Sequence, residues 1–169
     1  MLLAALLLGA APAVAEAPAA LDGVVVRVVD GDTVHVRLSD RVEKVRYIGV
    51  NTPEIHHPTK GEEPGGRAAH AVNRRLVEGK RVRLELDVQS RDRYGRLLAY
   101  VWVGETMTNA ELVRLGYAQV MTVPPNVRHQ ALFLKLQRDA RQAGRGLYLH
   151  GGPEMAPNPP YARSAPAKP

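Results

Sequence analysis

The sequence predicts an α+β fold with a mainly β core: a small, closed, five-stranded barrel with three helices packed on it. Three observations carry this. Five short runs rich in Val and Leu are each bounded by turn residues. One run with helical spacing is inserted after the third strand, and two more follow the fifth. Only 5% of the 169 residues are aromatic while 45% are hydrophobic, so Val, Leu and Ala must fill the core. This length suffices for one domain with a real core.

From Leu21 the pattern becomes β. Val24, Val26 and Val28 alternate with Val25, Arg27 and Val29, which suits a strand covered on both faces. Asp30-Gly31 is a hairpin dipeptide. Thr33 to Leu38 follows, with Val34, Val36 and Leu38 pointing one way. After Ser39-Asp40, a third strand is predicted from Val42 to Val50. It is closed by Pro53, which cannot donate to a ladder. Residues 51–66 contain Pro53, Pro58, Pro64, Gly61, Gly65 and Gly66, the composition of a long functional loop.

The first helix is predicted over Arg67 to Glu78, with Ala69, Val72 and Leu76 as its buried stripe and Gly79 as its stop. Arg81 to Val88 alternates cleanly: Val82, Leu84, Leu86 and Val88 in, Arg81, Arg83, Glu85 and Asp87 out. Ser90 to Gly95 is a polar turn. Arg96 to Val103 is apolar enough to be buried on both faces. Thr108 and Glu111 have capping-box spacing for a short helix with Leu112 and Leu115 on its apolar side. The last helix is predicted from Val127 to Ala143, with Leu132, Leu136, Ala140 and Ala143 on one face and Gly144 at its end. Leu147, Tyr148 and Leu149 then dock back on the body. This order of strands and helices is that of the five-stranded oligonucleotide-binding barrel (OB-fold), placed at residues 21–150.

Outside that domain, residues 1–15 read as a cleaved signal peptide. An apolar run, MLLAALLLGAAPAV, leads to the small-x-small site Ala13-Val14-Ala15, although no Lys or Arg precedes the run. The expected location is therefore secreted or periplasmic. The run is short for a membrane span, and no later stretch is apolar enough for one, so no stable membrane association is expected. Residues 151–169, rich in Pro and Ala, read as a disordered tail. There is no cysteine, which excludes disulfides, thiolate metal sites and a lipid anchor on cysteine. A formal net charge of +6 favours polyanionic partners.

Several residues carry chemistry in combination. Asp30 and Asp32 straddle Gly31, and two carboxylates in a turn can hold a hard cation such as Ca2+, although a lone Asp-Gly-Asp is more often only a hairpin. Asn51, Thr52 and Glu54 supply further oxygen donors where the third strand ends. Arg46, expected to point outward from its strand, and Arg96 are ordinary singly. Guanidinium forks, however, grip phosphate bidentately, and two of them beside a cation could stabilise a five-coordinate phosphorane. His56 and His57 are adjacent in the loop, with His70 on the helix after it. Without a nearby third ligand they read as loop residues rather than a zinc site. Arg74, Arg75, Lys80, Arg81 and Arg83 form a basic stretch that suits a solvated face or a non-specific phosphate track.

The set Asp30-Gly31-Asp32-Thr33-Val34, Arg46, Thr52-Pro53-Glu54 and Asp92-Arg93-Tyr94-Gly95-Arg96, in this order and spacing, resembles the staphylococcal nuclease (thermonuclease) family. The resemblance extends from about Val24 to Leu149. It implies a secreted, Ca2+-dependent nuclease acting on DNA and RNA with little sequence specificity, cutting the P–O5′ bond and leaving 3′-phosphates. It implies Asp32 and the Thr52 carbonyl as metal ligands, with Asp30 beside the metal. Glu54 would orient or deprotonate the attacking water, and Arg46 and Arg96 would bind the scissile phosphate and its transition state. Asn51 stands where the best-known members carry an aspartate ligand, so weaker Ca2+ binding is expected. Met121-Thr122-Val123-Pro124-Pro125 replaces tyrosines that stack on a base, leaving Tyr94 as the aromatic flanking the phosphate site. A monomer is expected. The alternative is a non-catalytic OB-fold module that binds nucleic acid with a weakened metal site, but such decay would normally have removed Glu54 or an arginine as well.

Overall fold

The structure is a computed structural model that describes residues 19–55 and 61–149. The expected signal peptide, His56, His57 and the expected tail lie outside the described residues.

The barrel is built from five strands. β1 (Ala20–Asp30) turns through Gly31 into β2 (Thr33–Arg37), which pairs antiparallel with β3 (Val42–Tyr47). A two-residue strand, β4 (Val50–Asn51), and the loop lead to α1 (Gly66–Val77). β5 (Arg81–Glu85) returns alongside β1, and β6 (Leu97–Val103) pairs with β5. Parallel pairing of β3 with β6, Val45 opposite Leu97 and Tyr47 opposite Ala99, closes the sheet on itself. A two-residue strand, β7 (Thr106–Met107), leads into α2 (Thr108–Arg114). Another, β8 (Gln119–Val120), pairs with β4, and α3 (Gln130–Gln142) follows before a 3-10 turn at Gly146–Tyr148.

Small branched side chains fill the interior, as the composition requires. Val25, Val34, Val36, Val45, Leu84, Ala99 and Val101 are almost entirely buried. Each fully buried Val or Leu contributes about 1.5–3 kcal/mol relative to exposure. Several polar groups inside are hydrogen-bonded. Asn109 on α2 accepts from Val101 N–H at 2.9 Å and donates to Ile48 O at 2.9 Å, tying the helix both to β6 and to the turn after β3.

The structure departs from the expected pattern at several points. β1 is not evenly covered: register shifts between Val25 and Arg27, and again between Val28 and Asp30, leave Val25 and Val28 buried and Val26 41% exposed. The strand expected from Val42 to Val50 is broken at Gly49, which adopts φ 78°. β5 stops at Glu85. That residue, expected outside, is buried under Arg128 and His129, while Val88, expected inside, is exposed. β6 begins at Leu97, leaving Arg96 in the turn. The capping box does not form. Met107 is the N-cap residue, Thr108 is buried, and Glu111 instead binds Arg114. α3 starts at Gln130, and its inner face is Phe133, Leu136 and Ala140; Leu132 is 41% exposed and Ala143 is also exposed. Leu147 does dock, against Gly65, but Leu149 is exposed.

Candidate active site

One end of the barrel gathers the turn after β1, the segment after β3 and the start of β6. The β1–β2 turn needs a residue without a side chain. A Cβ on Gly31 would lie 2.6 Å from Thr52 Oγ1 and 2.9 Å from Ala69 Cβ, so the turn can pack directly on the second loop. Asp32 is thereby placed under that loop, 5% exposed, with Oδ2 accepting from Thr52 N–H at 2.8 Å and Oδ1 from the Thr33 hydroxyl at 3.1 Å. Asp30 is less enclosed. Its carbonyl accepts from Asn73 Nδ2 at 3.0 Å and its carboxylate faces Ile55 N–H at 3.5 Å.

Arg46 is the main surprise. The residue expected to point outward is 8% exposed and holds the loop together. Its Nη1 donates to Tyr47 O and Val50 O, each at 2.8 Å, and Nη2 donates to Asn51 Oδ1 at 3.0 Å. The same Nη2 lies 3.2 Å from Asp32 Oδ2. A guanidinium can be buried here because its charge is paired and both of its Nη groups are hydrogen-bonded. The bend at Gly49 turns the Val50 carbonyl and the Asn51 side chain back toward it.

Arg96 lies two residues before Leu98, which faces Arg46 across the β3–β6 ladder, so the turn that carries it enters at the Arg46 end of β3. Asp92 positions it: Nε donates to Oδ2 at 2.7 Å and the backbone N–H to Oδ1 at 3.0 Å. Both Nη groups of Arg96 remain without a hydrogen bond among the described residues. Tyr94, 68% exposed, lies beneath the guanidinium carbon at 5.5 Å and is also covered by Arg93 at 4.7 Å. Gly95 at φ 78° makes the turn that brings Asp92 and Arg96 together.

Glu54 is half-buried, and its backbone is clamped. Its N–H donates to Glu63 Oε2 at 3.0 Å and its carbonyl accepts from Glu63 N–H at 2.9 Å. Thus Asp32, Arg46, Asn51 and Thr52 are directly linked, Asp30 borders them, and Glu54 and Arg96 stand on the two adjoining segments. His70 contacts Val28 O at 3.4 Å, away from any ligand cluster.

Two positioning residues escaped the sequence reading. Asn73 on α1 is fully buried and joins Asp30 O to the Tyr47 hydroxyl, which donates to its Oδ1 at 3.0 Å. Burial pushes the Tyr47 phenol well above its ordinary range, so it stays a neutral donor. Glu63 was the other. A single Asn among the apolar positions of a helix and a Glu in a loop carry no distinguishing spacing.

The donors at this end are all oxygens: Asp32, Asp30, the Asn51 amide and the Thr52 carbonyl and hydroxyl. Thr52 Oγ1 is buried without a hydrogen-bond partner among the described residues. That chemistry fits a hard cation such as Ca2+. No three His, Asp or Glu side chains converge among the described residues, so its charge is low for such a site. No helix among them is long and apolar enough to cross a membrane.

Comparisons with known proteins agree with the barrel and its loops. The family model described as staphylococcal nuclease homologue matches residues 44–150. A thermonuclease of Staphylococcus intermedius is 40% identical over 116 residues, covering 69% of this chain and 69% of that protein. A thermonuclease of Staphylococcus hyicus is 38% identical over 124 residues, 73% of each chain. Endonuclease YncB of Bacillus subtilis is 34% identical over 128 residues, 75% of this chain and 61% of that protein.

Proposed function

Because the chain belongs to the staphylococcal nuclease family, a family of nucleases, we propose that it is a secreted or periplasmic, Ca2+-dependent enzyme that hydrolyses DNA and RNA to 3′-phosphate ends. The observation that carries this reading is the clasp of Asp32, Arg46, Asn51 and Thr52, with the Nη groups of Arg96 presented beside it.

Asp32, the Thr52 carbonyl and Asn51 would hold the cation, with Asp30 alongside. A bound divalent cation supplies positive charge to the phosphoryl oxygens. The chain's own residues do the rest. Arg96 meets the phosphate with two Nη groups while Asp92 holds its Nε, so little reorganisation is needed. Arg46, its Nη groups held by two backbone carbonyls and Asn51, adds a fixed positive charge beside the phosphate. Glu54, its backbone fixed by Glu63, accepts a proton from the attacking water. The new bond joins water oxygen to phosphorus as the P–O5′ bond breaks. The phosphate stays on the 3′ end of one fragment, and the 5′-oxygen of the other takes up a proton from solvent water to leave as a hydroxyl, while Glu54 returns its proton to solvent. Tyr94 flanks the phosphate as a sequence-independent stacking surface.

Turnover of single-stranded DNA in millimolar Ca2+ by the wild type and by Asp32→Ala, Glu54→Gln and Arg96→Ala tests these roles. Arg96→Ala is expected to lose about 3–4 kcal/mol of transition-state stabilisation, roughly 10²–10³-fold in rate. Equal turnover in all four proteins would remove the assignment.

A further inference from the structure

A second set of basic residues lies at the opposite pole of the barrel. β2 runs from Thr33 at the candidate active site to Arg37, four residues or about 13 Å away. There, Val24 of β1 lies opposite Arg37 on one side and opposite Arg81 on the other, so both arginines rise from one row of the outer sheet face. In the next row on that face, Asp22 lies opposite Arg83 and Arg83 lies opposite Trp102. These residues line an open cleft of about 620 Å³, within the size range of small-ligand sites.

Each member is held in a way that suits binding. Trp102 is half-buried, and its indole N–H donates to Glu85 Oε2 at 3.0 Å, which fixes the plane of the ring. The Arg83 guanidinium lies over that ring at 5.0 Å and only 3.8 Å from the same carboxylate. Arg37 and Arg81 are exposed and form no ion pair among the described residues. Two carboxylates face three guanidiniums: Asp22 in the cleft, and Glu85 beneath Arg83, which is also shared with Arg128 and His129. Arg81 and Arg83, part of the basic stretch seen in the sequence, thus line this cleft. An aromatic–guanidinium platform flanked by two uncommitted arginines is the chemistry that binds single-stranded nucleic acid, with base stacking on the platform and phosphates on the flanking cations.

We propose that the Arg37–Arg81–Arg83–Trp102 cleft is an auxiliary site for single-stranded DNA or RNA, engaging a substrate segment away from the bond being cut. It rests on the nuclease reading for its biological use, but its binding is separable from catalysis. The chain has one tryptophan, so intrinsic fluorescence reports on this cleft.

The test is titration of the protein in EDTA with oligothymidylate, following Trp102 emission, for the wild type and the Arg37→Ala/Arg81→Ala double variant. Saturable quenching is expected in the wild type. In the double variant, affinity should fall at least tenfold and the log–log salt slope should become shallower by about 1.4, from two lost phosphate contacts on a single strand. An unshifted emission maximum in the free variant shows that the fold is kept. No quenching, or the same affinity and slope in both proteins, overturns the proposal. Quenching by phosphatidylglycerol vesicles but not by the oligonucleotide also overturns it, in favour of a membrane surface. Cleavage of a tetranucleotide in Ca2+ by the same preparations separates the two readings. If cleavage proceeds without quenching, only the auxiliary site falls. If quenching occurs without cleavage, only the nuclease reading falls.

Discussion

Replacing Arg46 by methionine removes the guanidinium while keeping most of the aliphatic stem. The side chain is 8% exposed and Asp32 is 5% exposed, so the ion pair at 3.2 Å is shielded from water. Three hydrogen bonds, to Tyr47 O, Val50 O and Asn51 Oδ1, disappear with it. Those acceptors lie on a loop that can readmit water, so the larger loss is at Asp32. Among the described residues its carboxylate keeps only Thr52 N–H and the Thr33 hydroxyl as donors. Removing one member of a buried pair costs about 3–5 kcal/mol. With a urea slope of about 2 kcal/mol per molar, the unfolding midpoint should fall by roughly 2 M. Urea denaturation in EDTA, followed by far-UV circular dichroism, measures this. Ca2+ should narrow the gap, because a cation at Asp32 replaces the missing positive charge and adds native-state binding energy. A loss under about 1 kcal/mol in EDTA, or a gap that widens with Ca2+, would refute the claim that Arg46 and Asp32 hold the barrel end together.

Asn51→Asp should lower the Ca2+ concentration for half-maximal activity by roughly tenfold, since a charged oxygen replaces a neutral one in the donor set; an unchanged Ca2+ profile counts against Asn51 as a ligand. Asn73→Ala should destabilise by about 2 kcal/mol, because the buried Tyr47 hydroxyl and Asp30 carbonyl both lose their partner, and thermal unfolding measures it. Arg91, and with it Arg41, holds the Glu43 carboxyl at about 2, below its ordinary 4.5. That depressed value adds stability which is full above about pH 4.5 and is lost as pH falls toward 2. Both arginines are about half exposed, so the contribution is about 1–2 kcal/mol. The advantage of wild type over Glu43→Gln should therefore shrink as pH drops through that window, as read from urea midpoints.

The barrel was legible because its strands announce themselves locally: β2 alternates, and glycines mark the ends of α1, α2 and α3. The elements that escaped depend on distant partners. β4 and β8 are two residues each and exist only because Val50 meets Val120 across the fold. Glu85 follows the outward alternation, yet Trp102, Arg128 and His129 cover it, two of them more than 40 residues away. In α3 both Leu132 and Phe133 have helical spacing to Leu136 and Ala140, and only packing against the barrel puts Phe133 and not Leu132 in the core. Asp32, Asn51, Thr52 and Arg96 could be named from motif spacing. The burial of Arg46 could not, because it is set by a loop folding back at Gly49. The Trp102 cleft was illegible for a similar reason: Arg37, Arg81 and Trp102 are brought together only by strand register.

The central claim is that this chain hydrolyses phosphodiesters with water, using the residues at the Asp32 end of the barrel. End-group analysis of DNA and RNA digested by the purified protein across a Ca2+ series tests it most directly. 3′-Phosphate and 5′-hydroxyl ends are expected from both polymers, rising with Ca2+ and abolished by EDTA or by Asp32→Ala. Intact polymers at every Ca2+ concentration, or fragments with 5′-phosphate ends, would contradict it.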